Sequence, residues 1–188
     1  MPEIIDFKDI NKNDIIKRIK AGEIFIYPTD TIYGIGCNAL KPASVQLIKD
    51  IKKREDRPFS IIAPSKEWIN KNLKVPNKSY IQKLPGPYTY ILEIKKRATA
   101  RNVNPGYKTL GVRIPNHPFT NLVKSANVPF ITTSVNLSEQ KPIRSIKEIP
   151  RSIKKKVDII IDNGYLPNYP STIIDLTHTP PKLITRRL

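Results

Sequence analysis

Residues 27–40, YPTDTIYGIGCNAL, follow a short apolar run that predicts a buried strand over Ile24–Tyr27. They contain the G-x-G-x-x-A spacing of a dinucleotide-binding turn. Such a turn requires a helix to begin at the glycines, because the helix N-terminus must face the pyrophosphate. Here the next helical pattern starts only near Ser44, and no acidic residue ends a second strand about 20 positions on. We therefore reject dinucleotide binding, and expect Gly34 and Gly36 to allow a close approach of ligand or neighbouring strand.

The segment Pro28–Thr31 is instead a polar turn at the end of the predicted strand. Ligands usually bind at strand ends in open α/β sheets, and this turn offers two hydroxyls and a carboxylate. The same residue types also form ordinary Asx and Ser/Thr turns. The tetrapeptide by itself favours the ordinary turn.

Helical and β-rich patterns alternate along the rest of the chain. Several β-rich runs follow one another without a helix between them, which favours a mixed α/β sheet over a strict βαβ repeat. Asn13 or Asp14 is the expected cap of the first helix, and Gly22 its expected end. The patterns predict helices over 15–21, 44–54, 65–70, 78–84 and 117–126, and strands over 24–27, 59–63, 88–94, 110–114, 129–133, 157–161 and 172–176.

The composition indicates a cytoplasmic protein. At 188 residues the chain has the size of one domain. Its apolar runs are too short to span a bilayer, and its first residues are acidic where a secretory signal is basic. A single Cys excludes an internal disulfide, and only two His residues argue against a protein-ligated zinc site.

The formal net charge of +17 is the strongest global signal. Asp and Glu are missing from Ile94 to Ser138, and a second basic stretch runs from Lys141 to Lys156. Any single lysine is equally well explained as part of a solvated surface. The excess over the whole chain predicts attraction to polyanions, which are nucleotide phosphates or RNA.

Six stretches, taken together, resemble the YrdC family, the L-threonylcarbamoyladenylate synthases. They stand in the family order and cover the chain from about Ile10 to Arg187. The stretches are Pro28–Gly36, Ile51–Arg54 with Arg57–Ile62, Leu84–Thr89, Thr109–Pro118, Thr133–Ser138 and Ser171–Thr177.

The resemblance implies a fold and an activity. The fold is a twisted, open, mixed α/β sheet flanked by helices, with a basic concave cavity, in the short form of the family with a single domain over 1–188. The enzyme is a nucleotidyltransferase that condenses L-threonine, bicarbonate or CO2, and ATP with Mg²⁺, to threonylcarbamoyl-AMP and pyrophosphate. Its product serves a threonylcarbamoyl transferase complex that modifies adenosine 37 of tRNA. The alternatives are a non-catalytic module that binds double-stranded RNA or tRNA, and a relative acting on another carbamoyl-type substrate.

The resemblance also implies contacts to ATP. Reactions of this type depend on positioning and on charge stabilisation by Lys, Arg and Mg²⁺. Without the family match, the basic helix end would be read as a solvated terminus that meets the helix dipole favourably, and Ser134–Asn136 as a post-strand turn. The implied catalytic residues are Lys52 and Arg54, and the implied ATP contacts are Lys52, Arg54, Arg57, Thr109, Ser134, Asn136 and Arg186.

Arg113 is the expected clamp for the threonine carboxylate, because a guanidinium binds a carboxylate through two parallel hydrogen bonds. An arginine within an apolar strand end is costly unless it is paired or exposed. Thr31, Thr132 and Ser171 are the other implied threonine contacts. His117 is expected to be structural, and no protein side chain is assigned to a metal.

Two departures from the family pattern affect this site. Many relatives have a histidine that helps to hold threonine where this chain has Ile62, so one contact is missing or replaced. The usual KxRP motif ends here in Glu55, followed by Asp56. This acidic pair either orients Arg54 or helps to bind a metal.

Overall fold

The computed structural model describes residues 1–53, 57–136 and 141–185. In these ranges eleven strands form one mixed sheet with the order β1-β9-β2-β3-β8-β4-β7-β6-β10-β11, and β5 pairs with β6 beside this path. The strands are β1 (Glu3–Asp6), β2 (Phe25–Tyr27), β3 (Gly34–Gly36), β4 (Ser60–Ile62), β5 (Leu73–Lys74), β6 (Tyr88–Ile94), β7 (Thr109–Arg113), β8 (Phe130–Ser134), β9 (Ile159–Asp162), β10 (Thr172–Asp175) and β11 (Lys182–Ile184).

Helices flank this sheet, and the sheet does not close on itself. The predicted mixed, open α/β architecture is therefore confirmed. No helix in the described ranges is both long enough and apolar enough to cross a bilayer. The helices are α1 (Lys12–Ala21), α2 (Pro42–Lys52), α3 (Lys66–Asn72), α4 (Lys78–Gln82), α5 (Phe119–Ala126) and α6 (Arg151–Lys154), with short 3-10 helices at Phe7–Asp9, Arg101–Val103 and Ile146–Glu148.

The local sequence signals predicted the C-terminal end of α1 correctly and its N-terminal cap incorrectly. Gly22 ends the helix in the left-handed region at φ 97°, as predicted. The N-cap is Asn11, whose side chain accepts a hydrogen bond from the backbone N–H of Asp14. The predicted caps, Asn13 and Asp14, are wrong by two and three residues, because all three of these nearby residues have side chains suited to capping.

The glycines of the opening stretch lie in strand β3, so no helix begins at them. A Cβ on Gly36 would lie 1.9 Å from the carbonyl oxygen of Ile131, and one on Gly34 would lie 2.9 Å from the Tyr27 ring. The predicted close approach to a neighbouring strand is therefore confirmed. Its cause is packing within the sheet.

Successive side chains of a strand point to opposite faces of a sheet, and this chain has an apolar cluster on each face. Ile61 belongs to the larger cluster, while its neighbour Ile62 packs in a second one with Tyr27 and Phe130. Helices α1 and α5 contact each other over the second cluster. Arg113 of β7 and the alternate residues Thr132 and Ser134 of β8 share the face of Ile62.

Candidate active site

A cavity of ≈ 860 Å³ opens on this face of the sheet. Ligand pockets for small molecules and cofactors typically span roughly 300–1,000 Å³, so it is large enough for more than one small substrate. Its charged lining residues, within the described part of the chain, are Arg57 and Arg113. Seven of the predicted site residues line it: Thr31, Arg57, Arg113, Thr132, Ser134, Asn136 and Ser171.

The strand register explains why these residues converge. Strand β4 pairs with β7 in parallel, which places Ile62 beside Arg113. It pairs with β8 in the antiparallel sense, which places Ser60 beside Thr132. Residues opposite one another in a sheet point to the same face. The alternate positions of three strands distant in sequence therefore face one cavity.

The same register separates the predicted contacts into two groups. Arg113 ends β7, and Ser171 immediately precedes β10, which runs parallel to β6. Arg57 lies before β4, Ser134 ends β8, and Thr109 begins β7. Four residues of strand span about 13 Å, so Thr109 lies that far from Arg113 along the same face. The predicted threonine and ATP contacts thus tend toward opposite ends of the site, although Thr109 itself does not line the cavity.

The first group, which we call the Arg113 end, consists of Asp30, Thr31, Arg113 and Ser171. Arg113 Nη2 lies 2.5 Å from Asp30 Oδ1, and the two side chains are only 7% and 10% exposed. Nη1 of the same guanidinium donates to Thr31 Oγ1 at 3.3 Å. The pKa of Arg113 is lowered by burial, an effect that the carboxylate of Asp30 opposes.

One donor of the Arg113 guanidinium is not used by Asp30 or Thr31. Its Nε is buried and has no hydrogen-bond partner among the described residues. A buried donor without an acceptor costs free energy. Arg113 lines the cavity, and guanidinium groups bind carboxylates through two parallel hydrogen bonds.

Asp30 connects three segments that border the cavity. Besides Arg113, its carboxylate accepts from the backbone N–H of Asn116 at 2.9 Å. Its backbone carbonyl accepts from Asn168 Nδ2 at 2.9 Å. The turn expected from Pro28–Thr31 is thus a structural junction as well as part of the cavity wall.

Two pairs of buried hydroxyls complete the Arg113 end. Thr29 Oγ1 lies 3.0 Å from Thr31 Oγ1, and Thr89 Oγ1 lies 2.8 Å from Ser171 Oγ. Thr89 also lines the cavity, and sequence reasoning did not select it. The available signal was its place at the end of the Leu84–Thr89 motif.

The second group, which we call the Lys52 end, consists of Lys52, Arg57, Ser134 and Asn136. Lys52 is 3% exposed. Its Nζ donates to the Ser134 carbonyl at 2.7 Å, to Asn136 Oδ1 at 2.6 Å, and to the Asn136 carbonyl. The Ser134 hydroxyl donates to the same Asn136 Oδ1 at 2.7 Å.

These contacts change the expected role of Lys52. An ammonium has three donors, and the loop that follows β8 supplies three acceptors for them. Lys52 does not line the cavity, and it was expected to face phosphates directly. It lies behind the loop and holds Ser134 and Asn136 against the cavity. Arg54 and Arg186, together with Glu55 and Asp56, lie outside the described residues.

Comparison with known proteins agrees with this geometry. The Sua5/YciO/YrdC family model, which carries the description "Telomere recombination", matches residues 17–187. The chain belongs to this family. A "Putative threonylcarbamoyl-AMP synthase" of Methanocaldococcus jannaschii is 40% identical over 165 residues, which are 85% of this chain and 77% of that protein.

Two solved structures of family members share the fold. Pyrococcus abyssi Sua5 complexed with L-threonine matches with a TM-score of 0.85 and 28% identity, over 97% of this chain and 56% of that chain. Escherichia coli YciO matches with a TM-score of 0.86 and 26% identity, over 99% of this chain and 96% of that one. The chain therefore spans little more than half of the Pyrococcus protein and nearly all of YciO.

The position where many family members have a histidine is apolar here. Ile62 is fully buried beside Arg113 and packs in the cluster that contains Tyr27. His117 is the nearest alternative, but its Nδ1 accepts the backbone N–H of Phe119 at 3.1 Å, and its ring packs on Phe7. These contacts suit a structural role for His117, and Ile62 is packed in the apolar cluster and does not line the cavity.

Proposed function

We propose that this chain is an L-threonylcarbamoyl-AMP synthase, a nucleotidyltransferase. The observation that carries the proposal is the buried Arg113, which lines the same cavity as the Lys52-supported loop and has one donor, Nε, without a partner among the described residues. The Arg113 end is suited to a carboxylate, and the Lys52 end is suited to phosphates. The family relationship supports this reading, because relatives are named threonylcarbamoyl-AMP synthase and one was solved with L-threonine.

The proposed reaction requires the Arg113 end and the Lys52 end of the cavity to be occupied together. Threonine and bicarbonate form an N-carboxylate with loss of water and a proton from the ammonium. A carbamate oxygen then bonds to the α-phosphorus of ATP, while the bond to the departing pyrophosphate breaks. The products are threonylcarbamoyl-AMP and pyrophosphate. Two anionic reactants must be aligned and their charge stabilised, and fixed cations and dipoles do this most effectively in a site with little water.

The protein's own groups would divide this work. Arg113 would bind the threonine carboxylate, with Thr31, Thr132 and Ser171 around the rest of the amino acid. Arg57, Ser134 and Asn136 would face the phosphates and ribose, with Lys52 holding the loop, and Thr109 would lie further along the nucleotide. Arg54 and Arg186 are proposed as additional ATP contacts.

Mg²⁺ would enter as the ATP complex and neutralise phosphate charge. The described lining has hydroxyl and amide oxygens and no carboxylate. Mg²⁺ prefers carboxylate and phosphate oxygens, so this donor set fits a metal carried mainly by ATP. Within the described ranges no group of three or more His, Cys, Asp or Glu side chains is placed to hold a metal ion.

We also propose that the product passes to a tRNA-modifying transferase complex in the cytoplasm. The net charge of +17 supports direct contact with tRNA as part of that transfer. The family relationship is the other support.

The test is pyrophosphate release from ATP by the purified chain. The proposal expects release that requires both L-threonine and bicarbonate, with threonylcarbamoyl-AMP detected by mass spectrometry. Release that ignores threonine would exclude the proposed function. Glu93→Gln, which removes a surface ion pair with Lys74 on β5, is the control and should behave as the wild type.

A further inference from the structure

Asp30 and Arg113 form a closed pair of opposite charges at one end of the cavity. Their nearest atoms are 2.5 Å apart and both side chains are at most 10% exposed. The second carboxylate oxygen of Asp30 is occupied by the backbone N–H of Asn116. The pair therefore has no net charge before a ligand arrives, and it is held in place by several segments.

A ligand carboxylate that binds the Arg113 guanidinium in the cavity changes this balance. The assembly then contains one guanidinium and two carboxylates, and its net charge is −1 in a buried place. An uncompensated buried charge is costly. A ligand that also carries an ammonium restores neutrality, and one without it does not.

We propose that Asp30 is a positioning residue that makes the Arg113 end select a zwitterionic amino acid over a simple anion. It does so by holding the guanidinium and by adding the negative charge that only an ammonium-bearing ligand balances. This inference rests on the proposed function and explains why its amino-acid substrate is accepted before the amine is carboxylated.

Isothermal titration of the wild-type chain gives the first test. L-Threonine is compared with (R)-3-hydroxybutyrate, which has the same carboxylate and hydroxyl but no ammonium, and with L-threoninol, which has no carboxylate. We expect threonine to bind at least tenfold more tightly than either analogue. Equal affinity for threonine and hydroxybutyrate would overturn the role of Asp30.

Asp30→Asn gives the second test, because it removes the charge and keeps the shape. The ratio of threonine to hydroxybutyrate affinity should fall at least tenfold from its wild-type value, whereas Glu93→Gln should leave it unchanged. A variant that is folded by circular dichroism and keeps the wild-type ratio refutes the proposal. If Asp30→Asn does not fold, the comparison of threonine with hydroxybutyrate in the wild-type chain is the deciding test.

Different results would overturn the proposed function and the inference about Asp30. Absence of any threonine binding by the wild-type chain would overturn the proposed function, and the inference with it. Threonine binding without preference over hydroxybutyrate would overturn the inference alone.

Discussion

The two ends of the cavity bury a cation in different ways. At the Arg113 end, the guanidinium meets a carboxylate, and its partners come from distant segments of the chain. At the Lys52 end, the ammonium meets neutral oxygens of a single loop. Both cations are held by the protein before any ligand binds.

This difference teaches which ligand each end prefers. At the Lys52 end, Arg57 lines the cavity and brings positive potential to it, and such potential attracts phosphates. A cation paired with a carboxylate projects little net potential, so recognition depends on geometry and on the full charge of the ligand. The following variants test whether the two ends act separately.

Arg113→Ala is expected to have the largest effect. It removes two charge-assisted hydrogen bonds to threonine, each worth roughly 1.5–3 kcal/mol, so threonine affinity should fall by about 100-fold or more. It also leaves Asp30 buried and unpaired, which should lower the free energy of unfolding by about 3–5 kcal/mol. Calorimetric titration and urea unfolding measure the two effects.

Arg57→Ala is the matched control at the other end. It should weaken ATP binding while leaving threonine binding nearly unchanged. If Arg113→Ala reduced ATP and threonine affinity equally in folded protein, the separation of the two ends would be incorrect.

Lys52→Met should have the next largest effect. It removes the three hydrogen bonds that the ammonium donates to the Ser134–Asn136 loop, at about 1 kcal/mol or more each, so the free energy of unfolding should fall by about 3 kcal/mol. ATP binding should weaken by about tenfold, because the loop is no longer held, and threonine affinity should stay within about twofold.

Lys49→Met controls for the loss of a buried lysine, since Lys49 lies on the same helix and is also 3% exposed. It should not reproduce the selective loss of ATP affinity. A Lys52→Met protein with unchanged ATP affinity would show that the loop keeps its position without the ammonium.

The sequence predicted the strands well where the local pattern is strong. Strand β6 has the predicted bounds, Tyr88–Ile94, because alternating β-rich residues mark both its ends. Strand β3 was not predicted, because glycines have low β propensity. Its pairing with β2 and β8 is set by the tertiary fold.

The sequence predicted which residues form the candidate site better than it predicted how they are arranged. Thr31, Arg113, Thr132 and Ser171 were taken from motifs, and all four line the cavity. The division into two ends follows from the register of β4 with β7 and β8, which a linear motif does not contain. The orientation of Lys52 toward the loop depends on contacts across more than 80 residues of chain.

Gly34→Ala should lower the free energy of unfolding less than Lys52→Met does, on the strand that leads to the Lys52 end. Gly34 pairs with Ser134, and its new Cβ would press on the Tyr27 ring, which costs about 1–3 kcal/mol of unfolding free energy. Gly36→Ala should cost more, because the atom in the way belongs to the backbone of Ile131. Denaturant unfolding of both variants checks this order, and the reverse order would contradict the packing described.

The smallest expected effect is a pH dependence that belongs to the Arg113 end. Burial lowers the pKa of His117 below its usual 6.5, and the charge of Asp30 partly opposes this shift. The unfolded chain therefore binds a proton more readily than the folded chain, so stability is full above about pH 6.5 and declines as the pH falls below it.

His117→Asn keeps an acceptor for the Phe119 N–H and removes the titration. Between about pH 7.5 and about pH 5.5, the wild-type free energy of unfolding should fall more steeply than that of the variant. Removing the opposing charge with Asp30→Asn should steepen the wild-type slope further, whereas equal slopes in all three proteins would show that His117 does not sense this end of the cavity.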